Sequence, residues 1–217
     1  MSVIEELFVY EKIKTIFSTL PAQFPLANDT SKIKTREFLN ASLATVFLLE
    51  RIGKLFAPII YDMNSNLKQL KEKYEGKKKE YEYLEDMILD EKEAGQTTAT
   101  DALLWLRRAL HFVETLFQQI IDDSNKERSS SDLTAFVTSA YSGTLEEYHG
   151  WLGKQLFNVL SRFAPNRNRL MYILALDKPD RDAVVIRDMK NYAGRLTSIV
   201  RRLTQFYRDN NLEPPIL

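Results

Sequence analysis

The stretch TATDALLWLRRAL, residues 98–110, predicts an amphipathic helix near the middle of the chain. Thr98 and Asp101 have the spacing of a capping box, in which side chains of the first turn pair with backbone N–H groups. Trp105 and Phe112 occupy apolar positions of the same helix, and a tryptophan at such a position is usually a core residue. The stretch therefore favours a helical fold, and Trp105 alone does not assign a function.

The same helical spacing recurs on both sides of this stretch. Pro58 can open a helix that carries Asp62 and Asn66, and a helical stretch that includes His149 is expected to break near Gly143. After position 179, apolar residues spaced four and three apart predict a long final helix packed within the domain. With seven glycines and seven prolines in 217 residues, we expect an almost wholly helical protein without sheets.

The N-terminal residues are interpreted as an addition to the domain. The segment from Val3 to Leu20 is amphipathic and is followed by Pro21 and Pro25, which predicts a helix that ends there. We assign residues 1–28 to this extension. The whole chain, 1–217, is assigned to a single domain, because 44% hydrophobic residues suffice for one core and no linker divides it.

For two further stretches the sequence predicts which face is buried or exposed to solvent. Four apolar residues at helical spacing predict an ordinary core face: Leu39, Leu43, Val46 and Phe47. The strongly charged stretch from residue 71 to residue 93, which includes three consecutive lysines at 77–79, predicts a solvated face.

The charge balance and the composition exclude several functional classes. Thirty basic and thirty acidic residues leave no net charge, hence no bulk field for nucleic acid or for an anionic membrane, and membrane contact should be brief. The absence of cysteine excludes disulfides, thiolate nucleophiles and cysteine-ligated metals. No uncharged run reaches membrane-spanning length, so we expect a cytoplasmic protein, and neither a cofactor nor a metal is expected.

Asp62, Asn66 and Gln69 form one polar row, because residues four and seven positions apart lie on the same side of a helix. An ionised aspartate accepts hydrogen bonds, whereas asparagine and glutamine both donate and accept, a combination suited to sugar hydroxyls and amides. On spacing alone, a solvated helix face explains the row better. His149 can donate to a carbonyl, although a lone histidine is more often structural.

Taken together, three segments resemble the glycolipid transfer protein family over almost the whole chain after the N-terminal extension. They are FAPI at residues 56–59 leading into Asp62 and Asn66, ALLWLRRAL at 102–110, and AY at 140–141 with YHGW at 148–151. The resemblance implies an all-α, two-layer sandwich of about eight helices that encloses a hydrophobic lipid pocket. It also implies non-vesicular transfer, or sensing, of glycosphingolipids by a protein that is not an enzyme.

The resemblance assigns a role to each head-group residue. Asp62 would bind the ceramide amide N–H and sugar hydroxyls, and Asn66 would bind sugar hydroxyls. His149 would donate to the amide carbonyl, and Trp105 would stack on the first sugar. Gln69 stands where the family often has a lysine, so its contact with the sugar departs from the family pattern.

The resemblance also places residues along the lipid chains and at the membrane. Ile59, Phe112 and Phe157 match positions that line the hydrocarbon pocket, and their alternative interpretation is ordinary core. Trp151 matches an aromatic residue that touches the membrane surface, and its alternative interpretation is half-buried packing. The implied partners are a glycosphingolipid ligand and, transiently, a membrane surface.

Three other functions remain open at this point. A ceramide-1-phosphate carrier of the same fold would need cations that converge on a phosphate, for which Arg107, Arg108 and Lys68 are candidates. A lipid hydrolase would use Asp62 and His149 as acid and base, but the sequence offers no nucleophile motif. A lipid sensor would bind the same ligand and signal through a protein partner.

Overall fold

The computed structural model describes residues 13–28 and 31–213, and the side chains of residues 151 and 152 are not described. This part of the chain contains nine α-helices and three single turns of 3-10 helix. In chain order the helices are α1 (Ile16–Thr19), α2 (Thr35–Ile52), α3 (Ala57–Gly76), α4 (Leu84–Glu93), α5 (Thr98–Ser124), α6 (Thr134–Thr144), α7 (Trp151–Leu160), α8 (Arg167–Leu174) and α9 (Asp182–Asp209).

Helix α5 is the centre of the fold. It contacts α3, α4, α6 and α9, while α2 packs on α3 and α8, and α9 also contacts α1 and α8. The helices form a two-layer sandwich around a large apolar core. Within residues 13–28 and 31–213, the only strand-like pairing is an isolated bridge between Lys34 and Tyr83, so the predicted all-α class is confirmed there.

The periodic segments fold as predicted. Pro58 lies in the first turn of α3, where its missing N–H costs no helical hydrogen bond. The apolar stripe of α9 is buried along its full length by packing within the protein, and its members are Val185, Met189, Tyr192, Leu196, Ile199, Leu203 and Phe206.

The predicted helix break near Gly143 is confirmed, since α6 ends at Thr144, one residue later. Gly143 lies inside α6, and the chain leaves the helix between Leu145 and Gly150, through a 3-10 turn at Glu146–Tyr148. A glycine inside a helix costs only about 1 kcal/mol, which the packing of a buried face can offset. In α6 that face includes Ala140 and Tyr141.

The predicted N-terminal helix falls mostly on residues 1–12, which lie outside the described residues. In residues 13–28 only α1 is helical. Phe17 is buried against Phe117 and Tyr192, with ring centroids 5.9 and 5.4 Å away. The hydroxyl of Thr15, also buried, donates to Asp188 at 2.7 Å. These residues are therefore part of the main core.

The predicted core face of α2 is half wrong. Leu39 and Val46 are buried, but Leu43 and Phe47 are 42% and 49% exposed. Helix α2 is amphipathic: most of it is buried, and its exposed residues, which include Glu50 and Arg51, share one side of the helix. Leu43 and Phe47 lie on that side together with Arg36 and Asn40.

The predicted capping box at the start of α5 is also wrong. Its N-cap is Thr97, whose side chain makes no capping hydrogen bond. Instead the carboxylate of Glu91, on α4, accepts from the backbone N–H groups of Ala99 and Thr100 at 3.0 and 2.6 Å. An acceptor from another helix satisfies the free N–H groups equally well, and spacing along the chain cannot reveal it.

The stretch between residues 71 and 93, predicted as a solvated face, contains seven buried residues: Tyr74, Tyr81, Leu84, Glu85, Met87, Ile88 and Glu91. Of its charged residues, Glu85 and Glu91 are the two that are buried. Burial opposes the ionisation of Glu91, but the N–H donors of Ala99 and Thr100 outweigh it and lower the pKa of this carboxyl. Its stabilising effect is therefore present above the pKa of an unfolded glutamate, about 4.3, and is lost as the pH falls through the lower folded value.

We expect Glu91→Gln to lower the free energy of unfolding by about 1–3 kcal/mol at pH 7, because the uncharged amide is a weaker acceptor for the α5 N–H groups. The difference from the wild type should shrink below about pH 4. Urea unfolding of both proteins at pH 7 and pH 3.5 measures it. Equal stabilities at pH 7 would contradict this role for Glu91.

Candidate functional site

A cavity of about 380 Å³ opens between α3, α5 and the segment from α6 to α7. Its apolar lining consists of Leu55, Pro58, Ile59, Ala109, Leu145, Leu156, Phe157 and Leu160. Its polar and aromatic side chains are Asp62, Trp105, Tyr141, Tyr148 and His149. The structure thus brings three residues from distant predicted segments, Asp62, Trp105 and His149, to one cavity.

Asp62 and Asn66 form a hydrogen-bonded pair on α3. The Asn66 amide nitrogen donates to one carboxylate oxygen of Asp62 at 3.0 Å. Asn66 is buried, while Asp62 is half-buried and accepts no other hydrogen bond from the described residues. Burial raises the pKa of Asp62, against the opposing effects of the Asn66 hydrogen bond and the nearby His149. The second oxygen of Asp62 is therefore left to accept from a ligand.

The imidazole of His149 is oriented by Tyr141. The Tyr141 hydroxyl and the His149 Nδ1 are 2.9 Å apart, and Tyr141 is buried with no other hydrogen-bond partner among the described residues. Burial raises the pKa of Tyr141 to about 12, so the phenol keeps its proton. A buried hydroxyl needs an acceptor, so we assign the donor role to Tyr141 and the imidazole proton to Nε2 of His149.

His149 is kept neutral by its surroundings. Burial lowers its pKa, and the nearby carboxylate of Asp62 only partly opposes this. A neutral imidazole with its proton on Nε2 is a hydrogen-bond donor at the cavity. Asp62, as a carboxylate, is an acceptor on the facing helix. The site therefore offers one acceptor and one donor, the complement of an amide group.

Trp105 belongs to a cluster of rings beside His149. Its ring is nearly parallel to the His149 imidazole at 6.3 Å and perpendicular to Tyr148 at 6.3 Å. The guanidinium of Arg108 lies over the rings of Tyr148 and Trp105, at 3.5 and 4.8 Å from their centroids. Arg108 is only 7% exposed and has no carboxylate within 4.0 Å among the described residues. Its cation–π contacts hold the two rings together.

The remaining predicted site residues are placed differently. Ile59 and Phe157 line the cavity, and Phe157 stacks on Tyr141 with 3.6 Å between ring centroids. Phe112 is fully buried against Phe56, 6.3 Å away, and does not line the cavity. Gln69 is half-buried on α3 and is not a lining residue either. The side chain of Trp151 lies outside the described part of the structure.

Four residues that shape the site were not among the predicted ones: Tyr141, Tyr148, Arg108 and Gly153. A Cβ on Gly153 would lie 3.2 Å from the Cβ of His149, so this position keeps room for the imidazole. An isolated glycine four residues after a histidine in a helical pattern is a signal that could have indicated it. Arg108 and Tyr148 lie in the segments that resemble the family, but they meet only in three dimensions, so the sequence did not predict their contact.

The described residues contain no group of three or more histidine and acidic side chains that could hold a metal. In the same part of the chain, no helix is both long and apolar enough to cross a bilayer.

A family model described as "Glycolipid transfer protein (GLTP)" matches residues 33–176. The chain belongs to the glycolipid transfer protein family. Human pleckstrin homology domain-containing family A member 8 is 31% identical over 216 residues, covering 94% of this chain and 40% of that protein. The chain therefore spans well under half the length of this curated relative.

Solved structures of the family have the same architecture. The GLTP-fold of FAPP2, described as selecting simple glycosphingolipids, gives a TM-score of 0.80 at 27% identity, covering 93% of this chain and 98% of that chain. Mouse ceramide-1-phosphate transfer protein in its apo form gives a TM-score of 0.76 at 17% identity, covering 88% and 94%. At the latter identity the likeness shows the fold alone.

We expect Tyr141→Phe to raise the pKa of His149. The hydrogen bond that Tyr141 donates to Nδ1 stabilises the neutral imidazole, so its loss makes protonation easier. NMR titration of the imidazoles measures this, and His111, the only other histidine, serves as the internal control. An unchanged titration of His149 in the variant would contradict the donor role assigned to Tyr141.

Proposed function

We propose that this chain binds one glycosphingolipid and carries it between membranes without changing it chemically. The observation that carries the proposal is the convergence of Asp62, Trp105 and His149 on the polar side of an apolar cavity. Such a cavity suits a ligand with a polar head and hydrocarbon chains. Family membership and the described specificity of the FAPP2 fold favour a sugar-bearing head.

In this proposal the polar residues bind the amide and the first sugar. Asp62 accepts from the amide N–H and a sugar hydroxyl, while His149 donates from Nε2 to the amide carbonyl. Asn66 orients Asp62 through its 3.0 Å hydrogen bond; it is buried and does not line the cavity, so its own contact with the sugar remains a prediction from the family resemblance. Trp105 packs against the C–H face of the sugar. Gln69 is assigned at most an outer contact, because it does not line the cavity.

The hydrocarbon chains enter the apolar part of the cavity. Its 380 Å³ is near the lower end of the range of about 300–1,000 Å³ for ligand pockets, so two long chains require further space. Leu55 also borders a small apolar gap of about 10 Å³ lined by Leu116, Phe117 and Ile120. The hydrocarbon chain that penetrates further is assigned to this direction, beside Phe112 of α5. The gap would widen as the chain enters.

Transfer follows from the energetics of the chains. Exposing hydrocarbon to water costs about 0.8 kcal/mol for each methylene, so a lipid leaves a bilayer very slowly by itself. A protein cavity exchanges one apolar surrounding for another, and the net free energy of loading is small. The head-group contacts therefore decide which lipid is carried.

A face of α7 beside the cavity is proposed as the transient membrane contact. Leu156 and Val159 are exposed there, and Phe163, just beyond the helix, is 67% exposed. Exposed apolar residues grouped in this way are typical of sites that meet a membrane or a partner. Trp151 begins the same helix, and its membrane contact remains a prediction from the family resemblance.

The ceramide-1-phosphate alternative is weakened by where its candidate cations lie. Arg107 pairs with Glu213 at 2.7 Å and with Thr204 at 2.8 Å. Arg108 is covered by Tyr148, and Lys68 lies on the other side of α3. None of the three lines the cavity, and the described residues that do line it include no lysine or arginine that could bind a phosphate. A hydrolase is likewise disfavoured, because the lining residues within the described part of the chain include no serine, threonine or lysine nucleophile.

The test is transfer of fluorescent lipids between neutral vesicles by the purified protein. We expect rapid movement of galactosylceramide and lactosylceramide, little movement of ceramide-1-phosphate, and recovery of chemically intact lipid. Movement of the phosphate lipid alone would overturn the proposal, and so would cleavage of the lipid. Tight binding without transfer would instead favour the sensor.

A further inference from the structure

A second groove lies between α2 and α3. One wall is the open side of α2, with Arg36, Asn40 and Leu43, and the other includes Lys68 and Lys71 of α3. The groove has a volume of about 650 Å³, larger than the lipid cavity. Phe47 continues the same side of α2 by one helical turn and is 49% exposed. The groove thus combines cations with two large exposed apolar residues.

The positive charge of the groove is only partly neutralised. Four cationic residues line it, Arg36, Lys68, Lys71 and Lys78, against one acidic residue, Glu75. Glu75 pairs with Lys78, and Lys68 has only a loose, exposed pair with Glu72 at 3.9 Å. Among the described residues, neither Arg36 nor Lys71 has a carboxylate within 4.0 Å. A chain of zero net charge therefore carries a local cationic surface here.

The groove lies on the side of α3 opposite to the lipid cavity. Asp62 lines the cavity and Lys71 lines the groove. They are nine residues apart, which at about 100° per residue places them on opposite sides of the helix. A ligand in the groove would therefore leave the lipid cavity and the exposed face of α7 free.

We propose that the α2–α3 groove docks onto an anionic membrane, with Arg36 and Lys71 contacting lipid phosphates and with Leu43 and Phe47 inserted between the head groups. Cations beside exposed apolar residues are the combination that binds such a surface, since charge attracts the protein and apolar side chains anchor it. A protein docked in this way presents its cavity to a second membrane. Docking needs no lipid cargo, so it can be tested independently of the proposed function.

The test is flotation of the cargo-free protein with vesicles of phosphatidylcholine, alone or with one fifth phosphatidylserine. We expect the wild-type protein to prefer the anionic vesicles and added salt to weaken this preference. The double variant Arg36→Glu, Lys71→Glu should partition onto anionic vesicles at least about tenfold less. The matched control is Arg128→Glu, Lys178→Glu, which changes the net charge equally at exposed positions outside the groove. It should keep nearly wild-type partitioning.

Three outcomes would overturn this docking role. The first is equal flotation with neutral and anionic vesicles, and the second is equal loss in the groove and control variants, which would indicate bulk charge. The third is groove-dependent binding of a soluble polyglutamate peptide without binding to vesicles, which would assign the groove to a protein partner. Phe47→Ser should weaken flotation without altering the circular dichroism spectrum. Unchanged flotation would contradict the insertion of Phe47 between the head groups.

Discussion

Asp62→Val is expected to abolish transfer of galactosylceramide while the helix content stays unchanged. Valine removes the acceptor for the ligand and leaves the buried Asn66 amide without its partner at 3.0 Å. Each lost partner costs about 1–3 kcal/mol, so the loss of two reduces affinity by about thirtyfold or more. The fold should survive, because the carboxylate is half-buried and makes no ion pair within the described residues.

Two further variants serve as comparisons for Asp62→Val. Asp62→Asn keeps the size and an acceptor oxygen but loses the charge, so we expect an intermediate loss of transfer. Asn64→Val, on the exposed opposite side of the same helix, should transfer lipid between neutral vesicles at the wild-type rate. Normal transfer by a folded Asp62→Val protein would exclude the proposed head-group site.

Trp105→Ala is expected to weaken lactosylceramide binding about tenfold or more and plain ceramide binding much less. The indole supplies a flat apolar surface for the sugar. Ceramide has no sugar, so it does not lose this contact in the variant. A tenfold effect corresponds to about 1.4 kcal/mol. The ratio of the two affinities is the useful quantity, because any loosening of Tyr148 and His149 around the shortened side chain affects both lipids.

Trp105→Phe serves as the control for this prediction. It keeps an aromatic ring beside His149 and Arg108, so most of the preference for the sugar-bearing lipid should remain. Titration of each lipid against the three proteins gives the ratios. Equal losses for lactosylceramide and ceramide in Trp105→Ala would contradict a stacking role and would make Trp105 a structural residue.

The helical fold could be predicted from the sequence because one periodicity governs each segment. The α9 stripe, from Val185 to Phe206, faces a single continuous core, so its spacing alone predicts its burial. The same reasoning failed for α2, which is buried on most sides. There Leu43 and Phe47 follow Leu39 at a four-residue spacing, which drifts round the helix by about 40° per step, and they lie among the polar residues of its exposed side.

Contacts between distant segments account for the other differences. Glu91 caps a neighbouring helix, which a search for local capping residues cannot find. The pair of Asp62 and Asn66 is visible as a four-residue spacing. The pairing of Tyr141 with His149 spans a turn whose shape the sequence did not predict. The head-group roles themselves came from the family resemblance, and the structure supplied the distances that make them testable.

The most direct test of the central claim uses Trp105 as the reporter of its own site. Trp151→Phe leaves Trp105 as the only tryptophan of the chain. Its fluorescence is recorded as short-chain lactosylceramide is added, and native mass spectrometry counts the bound lipid. We predict a saturable change in emission at one lipid per protein, absent when Asp62→Val is added. One bound lipid with unchanged Trp105 emission would contradict a sugar head group at this cavity.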